Sequence, residues 1–180
     1  QLLLTERPDF AAHEILQGRF AIVVDRSPNV IICPVTFDTF FKTSDDYSTR
    51  WIVASFIRLL RYFAFFIAIF LPAFYIAVIS FHFEIIPLEL LLSVGKSRER
   101  IPFPPYIEAF IMEITLEMLR EAGVRLPAKI GQTIGIVGGI VIGQAAVEAG
   151  IVSNIMVIVV ALTAIASFII PNFEMGSTIR

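Results

Sequence analysis

KIGQTIGIVGGIVIGQAAVEAGIVSNIMVIVVALTAIASFIIP, running from Lys129 to Pro171, consists of two apolar runs that meet at Glu148-Ala149-Gly150. The first run, Ile130 to Val147, carries no charge and has glycine at every fourth place: Gly131, Gly135, Gly139 and Gly143. The second, Ile151 to Ile170, is also uncharged. A helix rises about 1.5 Å per residue, so roughly 20 apolar residues cross the hydrocarbon core of a bilayer. In lipid every backbone N–H and C=O must be bonded within the segment, and a helix does this. The stretch predicts an α-helical hairpin in a membrane.

Composition agrees. Hydrophobic residues make up 57% of the 180, against roughly 45–50% in soluble domains, and mean hydropathy is +0.81. The net charge of −2 offers no basic surface for nucleic acid. Cys33 is the one cysteine, which excludes an internal disulfide and a cysteine-rich metal site. The chain has no nucleophile elbow, phosphate loop or HExxH. His13 stands beside Glu14 with no second histidine nearby, which reads as a surface helix rather than a metal ligand. No catalytic residue, cofactor or metal site is assigned, and no enzymatic activity is expected. With neither an initiator methionine nor a signal-peptide pattern, the chain reads as part of a longer one that enters in mid-helix.

Residues 1–49 have soluble character. Pro8 can open a helix and Gly18 can end it. RFAIVV and VIICPV read as two strands joined by DRSPN. The strand Phe20–Val24 lacks alternation, so it is expected to be buried on both faces. TFDTFFKTSDDY is polar enough for a surface. The fold expected is mainly α: a multi-pass membrane helical bundle with a small α/β cytoplasmic piece at its N-terminal end. Residues 1–49 end the cytoplasmic domain, and 50–180 form the membrane domain, with helices at about 51–81, 106–122, 130–147 and 151–171.

Tyr62 to Phe81 is uncharged, long enough to span. Tyr47 and Trp51 suit the membrane interface, and Arg58 and Arg61 can snorkel to it. Pro72 lies near mid-span, where proline removes one helix hydrogen bond. Lys42, Arg50, Arg58 and Arg61 predict that this helix begins on the cytoplasmic side. Three spans then leave Lys96, Arg98, Arg100, Arg120, Arg125 and Lys129 outside and the 148–150 break inside, against the usual bias. Either the bias is weak here or the helix at 106–122 is itself embedded.

Two side-chain patterns bear on function. At 100° per residue, Glu113, Glu117, Arg120 and Glu121 fall within an arc of about 100°, with Glu108 off it. This acidic seam is either a solvated face with local Glu–Arg pairs or a ring of carboxylates at a pore mouth built by symmetric copies. In the hairpin, Gly131, Gly135, Gly139 and Gly143 share a side that suits close helix packing. Thr133, Val137, Ile140 and Gln144 form an opposite stripe, which either bonds a neighbouring helix or lines a pore.

EAFIMEITLEMLREAGVRLP and the hairpin after it resemble the A subunit of GerA-type spore germinant receptors. ASFIRLLRYFAFFIAIFLPAFYIA and ERPDF…GRFAIVVDRSPNVIICPVTF fit the same family, so the resemblance covers nearly the whole chain. It implies a multi-pass subunit in the spore inner membrane, with more chain before residue 1 and further membrane helices beyond IIPNFEMGSTIR. Such receptors sense nutrients and trigger ion release. The A subunit would form a homo-oligomer that conducts ions, beside a transporter-like B subunit and a lipoprotein C subunit. The competing expectation is a membrane scaffold that only holds these partners.

Overall fold

The computed structural model describes residues 2–125, 138–139 and 141–172. It is mainly helical, with one small sheet, and forms two compact units. The first comprises the residues up to Ala68 together with the segment from Ala166; the second comprises Ile69–Ile165.

In the first unit, β1 (Leu3–Thr5), α1 (Pro8–Leu16), β2 (Phe20–Val23) and β3 (Val30–Cys33) form an antiparallel sheet ordered β1-β3-β2, with α1 against it. Pro8 occupies the first turn of α1, where its missing N–H costs nothing. Gly18 ends the helix at φ +84. There the Arg19 N–H reaches the Glu14 carbonyl and the Gly18 N–H the Ile15 carbonyl, a left-handed cap that side chains resist. Leu3, Phe10, Ala11, Ile32 and Val35 make the core.

Leu3–Thr5 is a strand rather than the middle of a helix, because pairing with the central strand β3 outweighs the local helical preference of its leucines. β2 is not buried on both faces: Phe20 and Val23 are exposed. It lies at the sheet edge with α1 on one side, whereas Ile32 in β3 is fully enclosed.

A 3₁₀ turn (Phe37–Phe41) and the short α2 (Asp45–Ser48) lead into α3 (Trp51–Phe81). At 31 residues, α3 is the one described helix long and apolar enough to cross a membrane. It continues through Pro72. Ala64 and Ala68 of α3 pack with Ala166 near the end of α7 (Asn154–Ile169). Phe41 is fully enclosed, stacked on Tyr62 at 4.4 Å between ring centres and edge-on to Phe65 at 5.3 Å.

In the second unit, α4 (Leu88–Arg98) and α5 (Pro105–Arg125) precede the hairpin. Residues 138–139 and 141–148 are helical; the latter segment is α6. α5 runs three residues past its expected end, since Gly123 is tolerated within it. α7 begins at Asn154 rather than at 151, because residues 149–153 form the turn; its 16 residues are fewer than the roughly 20 of a full span, and uncharged residues 151–153 and 170 extend the apolar run on either side. Ala109, Met112, Val152, Met156 and Val160 form the core, with Tyr75, Ile76 and Leu116 against it.

Removing the Phe41 ring is expected to destabilise the first unit by about 3–5 kcal/mol, the usual cost of an aromatic-to-alanine change in a core. Faster hydrogen exchange in β3 and residues 37–46 of Phe41→Ala would register it.

Candidate functional site

The hairpin turn is built from both sides. The Ile151 N–H reaches the Ala146 carbonyl at 2.9 Å, and the Gly150 N–H the Val147 carbonyl at 3.0 Å. Gly150 has φ +68, and a Cβ there would stand 3.3 Å from the Arg100 carbonyl oxygen, so glycine is required on two counts. Three residues on, Ser153 Oγ accepts the Met156 N–H at 3.2 Å, capping α7.

Glu108 is completely buried beside this cap. Its Oε2 accepts the Ser153 N–H at 2.9 Å, and Arg98 Nη2 lies 2.7 Å from Oε1. The arginine contact is off the hydrogen-bond axis, so it acts as a charge contact. A buried carboxylate needs such partners, and the first turn of a helix supplies both donors and positive potential. Arg98 ends α4, Glu108 is near the start of α5, and Ser153 caps α7; the node ties three helices together.

A second node closes on α3. Arg61 Nη1 donates to Asp46 Oδ2 at 2.6 Å and to the Phe41 carbonyl at 2.9 Å, and Nη2 to Thr43 Oγ1 at 3.1 Å. Arg58 lies 3.7 Å from the same carboxylate. One turn away Tyr62 donates to Asp38, which also pairs with Lys42. Residues 58, 61, 62 and 65 lie on one stripe of α3, and the 37–46 segment takes all of it. Arg61 therefore does not snorkel toward a membrane surface: its arm is buried and its head fully engaged within the unit. Burial pushes the Asp46 carboxyl up, and the bonds from Arg61 and Thr43 outweigh this, holding it below the usual carboxylate range.

In the acidic seam, Glu117 pairs with Arg120 at 3.5 Å and Glu121 with Arg125 at 2.5 Å, all on α5. Glu113 is half-buried on the same helix. In the stripe, Gln144 is exposed and donates to Glu148 at 2.9 Å. Thr133, Val137, Ile140, Gly131 and Gly135 lie outside the described residues. Gly143 is buried, with a Cβ position 3.7 Å from Val157 Cγ1, an ordinary close contact between α6 and α7. Gly139 has open space around it. Among the described glycines Gly138, one residue off the four-residue repeat, is the tightest: a Cβ there would lie 2.7 Å from the Leu119 side chain. A crevice of about 220 Å³ runs beside these glycines, walled by Met112, Leu116, Ile142 and Val160. No group of three or more His, Cys, Asp or Glu suited to a metal occurs among the described residues.

Sequence reasoning placed Glu14, which is buried and pairs with Arg19, on a surface helix, and it passed over the buried carboxylates of Glu108 and Asp46. Glu108 was separable only as the glutamate off the seam, and Asp46 sat within a polar run. Neither marks its arginine partner, which is 10 residues away for Glu108 and 15 for Asp46.

Residues 1–180 match the family described as Bacillus/Clostridium GerA spore germination protein. Spore germination protein GerQA of Bacillus cereus is 52% identical over 180 residues, covering 100% of this chain and 36% of that protein. Spore germination protein B1 of Bacillus subtilis (strain 168) is 52% identical over 179 residues, 99% of this chain and 37% of the relative. A protein of the same strain named "Uncharacterized membrane protein YfkQ" is 55% identical over 180 residues, 100% of this chain and 35% of its own length. The chain thus spans a little over a third of these curated relatives. No solved structure matches it.

Breaking a buried ion pair from one side typically costs about 3–5 kcal/mol, so Asp46→Ala is expected to lower the thermal midpoint. Asp46 has its folded pKa depressed, so its contribution is present above the unfolded value of about 4 and fades as pH falls through the folded one. The midpoint difference between wild type and Asp46→Ala should stay flat from about pH 5 to 8 and shrink below about pH 4, as followed by thermal unfolding across pH.

Proposed function

The chain belongs to the GerA family of Bacillus/Clostridium spore germination proteins, and on that premise we propose that it is the multi-pass membrane subunit of a nutrient receptor. Copies of it assemble side by side in the spore inner membrane, with a transporter-like and a lipoprotein subunit as partners, and conduct cations when nutrient binds. The observation that carries the membrane assignment is the surface of α3. Phe56, Leu59, Phe63, Phe66, Phe70 and Phe74 are all more than half exposed. Water penalises such a ridge, whereas lipid or another apolar helix accepts it. The charged side chains at the start of the same helix are folded away from that ridge into the 37–46 segment.

Two features favour conduction over mere anchoring. α6 carries Gln144 exposed, in line with Thr133, Val137 and Ile140 in sequence, and α5 carries Glu113, Glu117 and Glu121 on a largely apolar helix. A polar stripe and an acidic seam on apolar helices suit a water-filled path for cations, with Val137 and Ile140 as its apolar constriction. A scaffold reading has its own support: Glu117, Glu121 and Gln144 each have a partner on their own helix, so none requires a pore. No enzymatic role is proposed.

Nutrient-triggered ion release from spores separates the two. A conducting subunit predicts that Val137→Ala and Glu117→Gln change release severalfold at unchanged receptor abundance. A scaffold predicts that Gly143→Leu, which presses on Val157, abolishes recovery of the complex, while Val137→Ala and Glu117→Gln leave release untouched.

A further inference from the structure

We propose that α5 crosses the membrane alongside α7, with Glu108 as the positioning residue that fixes their entry at one face. This rests on the membrane reading above but not on conduction. α5 has too many charges to register as a span by composition, and only α3 does so among the described helices. Geometry gives a different answer. Glu108, one turn into α5, bonds to the Ser153 N–H at the start of α7. The Arg100 carbonyl, just before α5, lies against Gly150 in the hairpin turn. The elbow before α5 and the turn before α7 therefore share one end of the unit, and cannot lie on opposite sides of a bilayer as the three-span scheme requires.

From that shared end the two helices run the same way. Ala109 and Met112 of α5 share one core with Val152 of the turn and Met156 and Val160 of α7, and farther along Leu116 and Leu119 of α5 wall the same crevice as Val160 and Ala161 of α7. Farther along α5, Leu119 meets Gly138 before α6. At 21 residues and about 1.5 Å each, α5 is roughly 31 Å long, enough to cross. If α7 lies in the membrane, so does α5.

A fourth crossing also halves the charge asymmetry, leaving only Lys96, Arg98 and Arg100 of the six cations outside. It carries Arg120, Arg125 and Lys129 back to the side where α3 begins, beside Lys42, Arg50 and Arg58, as the positive-inside rule expects. The far end of α7 agrees: Ala166 packs on Ala64 and Ala68, one to two turns from Arg61. The acidic seam then lies within the thickness of the bilayer, where carboxylates need arginine or water beside them. Glu108 matters because it satisfies the α7 cap and neutralises Arg98 at once; without it the turn loses its attachment to α5.

The first test is cysteine labelling in the full-length subunit in sealed membrane vesicles, using a membrane-impermeant maleimide in a Cys33→Ser background. Arg100→Cys and Ala149→Cys should label from the same side, and Arg125→Cys from the other. Labelling of Arg100→Cys and Ala149→Cys from opposite sides, or of Arg125→Cys together with Arg100→Cys, overturns the crossing. If a cysteine placed in the exposed ridge of α3, such as Phe63→Cys, labels as readily as these three, the membrane reading itself fails instead.

The second test probes position through Val152→Cys, buried in the wild-type turn. Glu108→Ala should raise its labelling rate by about tenfold or more, as local opening exposes it. The pair Glu108→Gln and Arg98→Met keeps an acceptor for Ser153 and removes both charges, so the rate should return to near the parent's. An unchanged rate in Glu108→Ala, or no recovery in the double variant, overturns the positioning role. Should Glu108→Ala not accumulate, Arg98→Met alone strands the carboxylate and serves the same comparison.

Discussion

A charge taken out of water has to be met by charge and hydrogen bonds; Glu14 meets Arg19 within the first unit, and two further buried carboxylates organise the helix ends. Asp46 and Arg61 close one unit, and Glu108 with Arg98 and the Ser153 N–H closes the other. In each, a carboxylate with little or no contact with solvent accepts a backbone N–H and lies against an arginine. That combination makes a buried ion pair tolerable, since Coulomb attraction alone seldom repays desolvation of both ions. Such pairs add little net stability over apolar packing. They do penalise every arrangement in which one partner is absent, and so they specify position.

The positions they specify are those of helix ends. The Asp46 node gathers the 37–46 segment onto one stripe of α3, while the aromatic ridge across the helix is exposed. The Glu108 node gathers the ends of α4, α5 and α7 around the hairpin turn. Between them the helices are apolar and need few directed bonds. Thr163 shows the economy of this interior: fully buried, its hydroxyl returns to the Val159 carbonyl of its own helix. Close approach is left to small residues, with Gly138 against Leu119 and Gly143 against Val157.

The sequence was legible wherever the deciding interaction is local. The end of α3 followed from its uncharged run, the ends of α1 from Pro8 and Gly18, and the β2–β3 pair from two apolar runs around a turn. It was misread where a distant partner decides. β1 forms because β3 lies beside it, and β2 is exposed because of its place at the sheet edge. Arg61 reads as an interfacial anchor until Asp46 is placed next to it. The glycine repeat marked close packing; among the described glycines Gly143 meets Val157 and Gly138, beside the repeat, meets Leu119, since which glycine meets a neighbour depends on how α5 is rotated.

By itself, the sequence determined the kind of molecule this is. Apolar runs, helix stops and a long family resemblance fix a helical chain of the GerA germination family, because hydrophobicity and turn chemistry act over a few residues. Only the tertiary structure decided which ends meet. That Glu108 reaches Ser153 across 45 residues depends on the geometry of two helix termini and the elbow between α4 and α5. No local pattern encodes it, because the energy of a buried charge is set by whatever the fold brings alongside it.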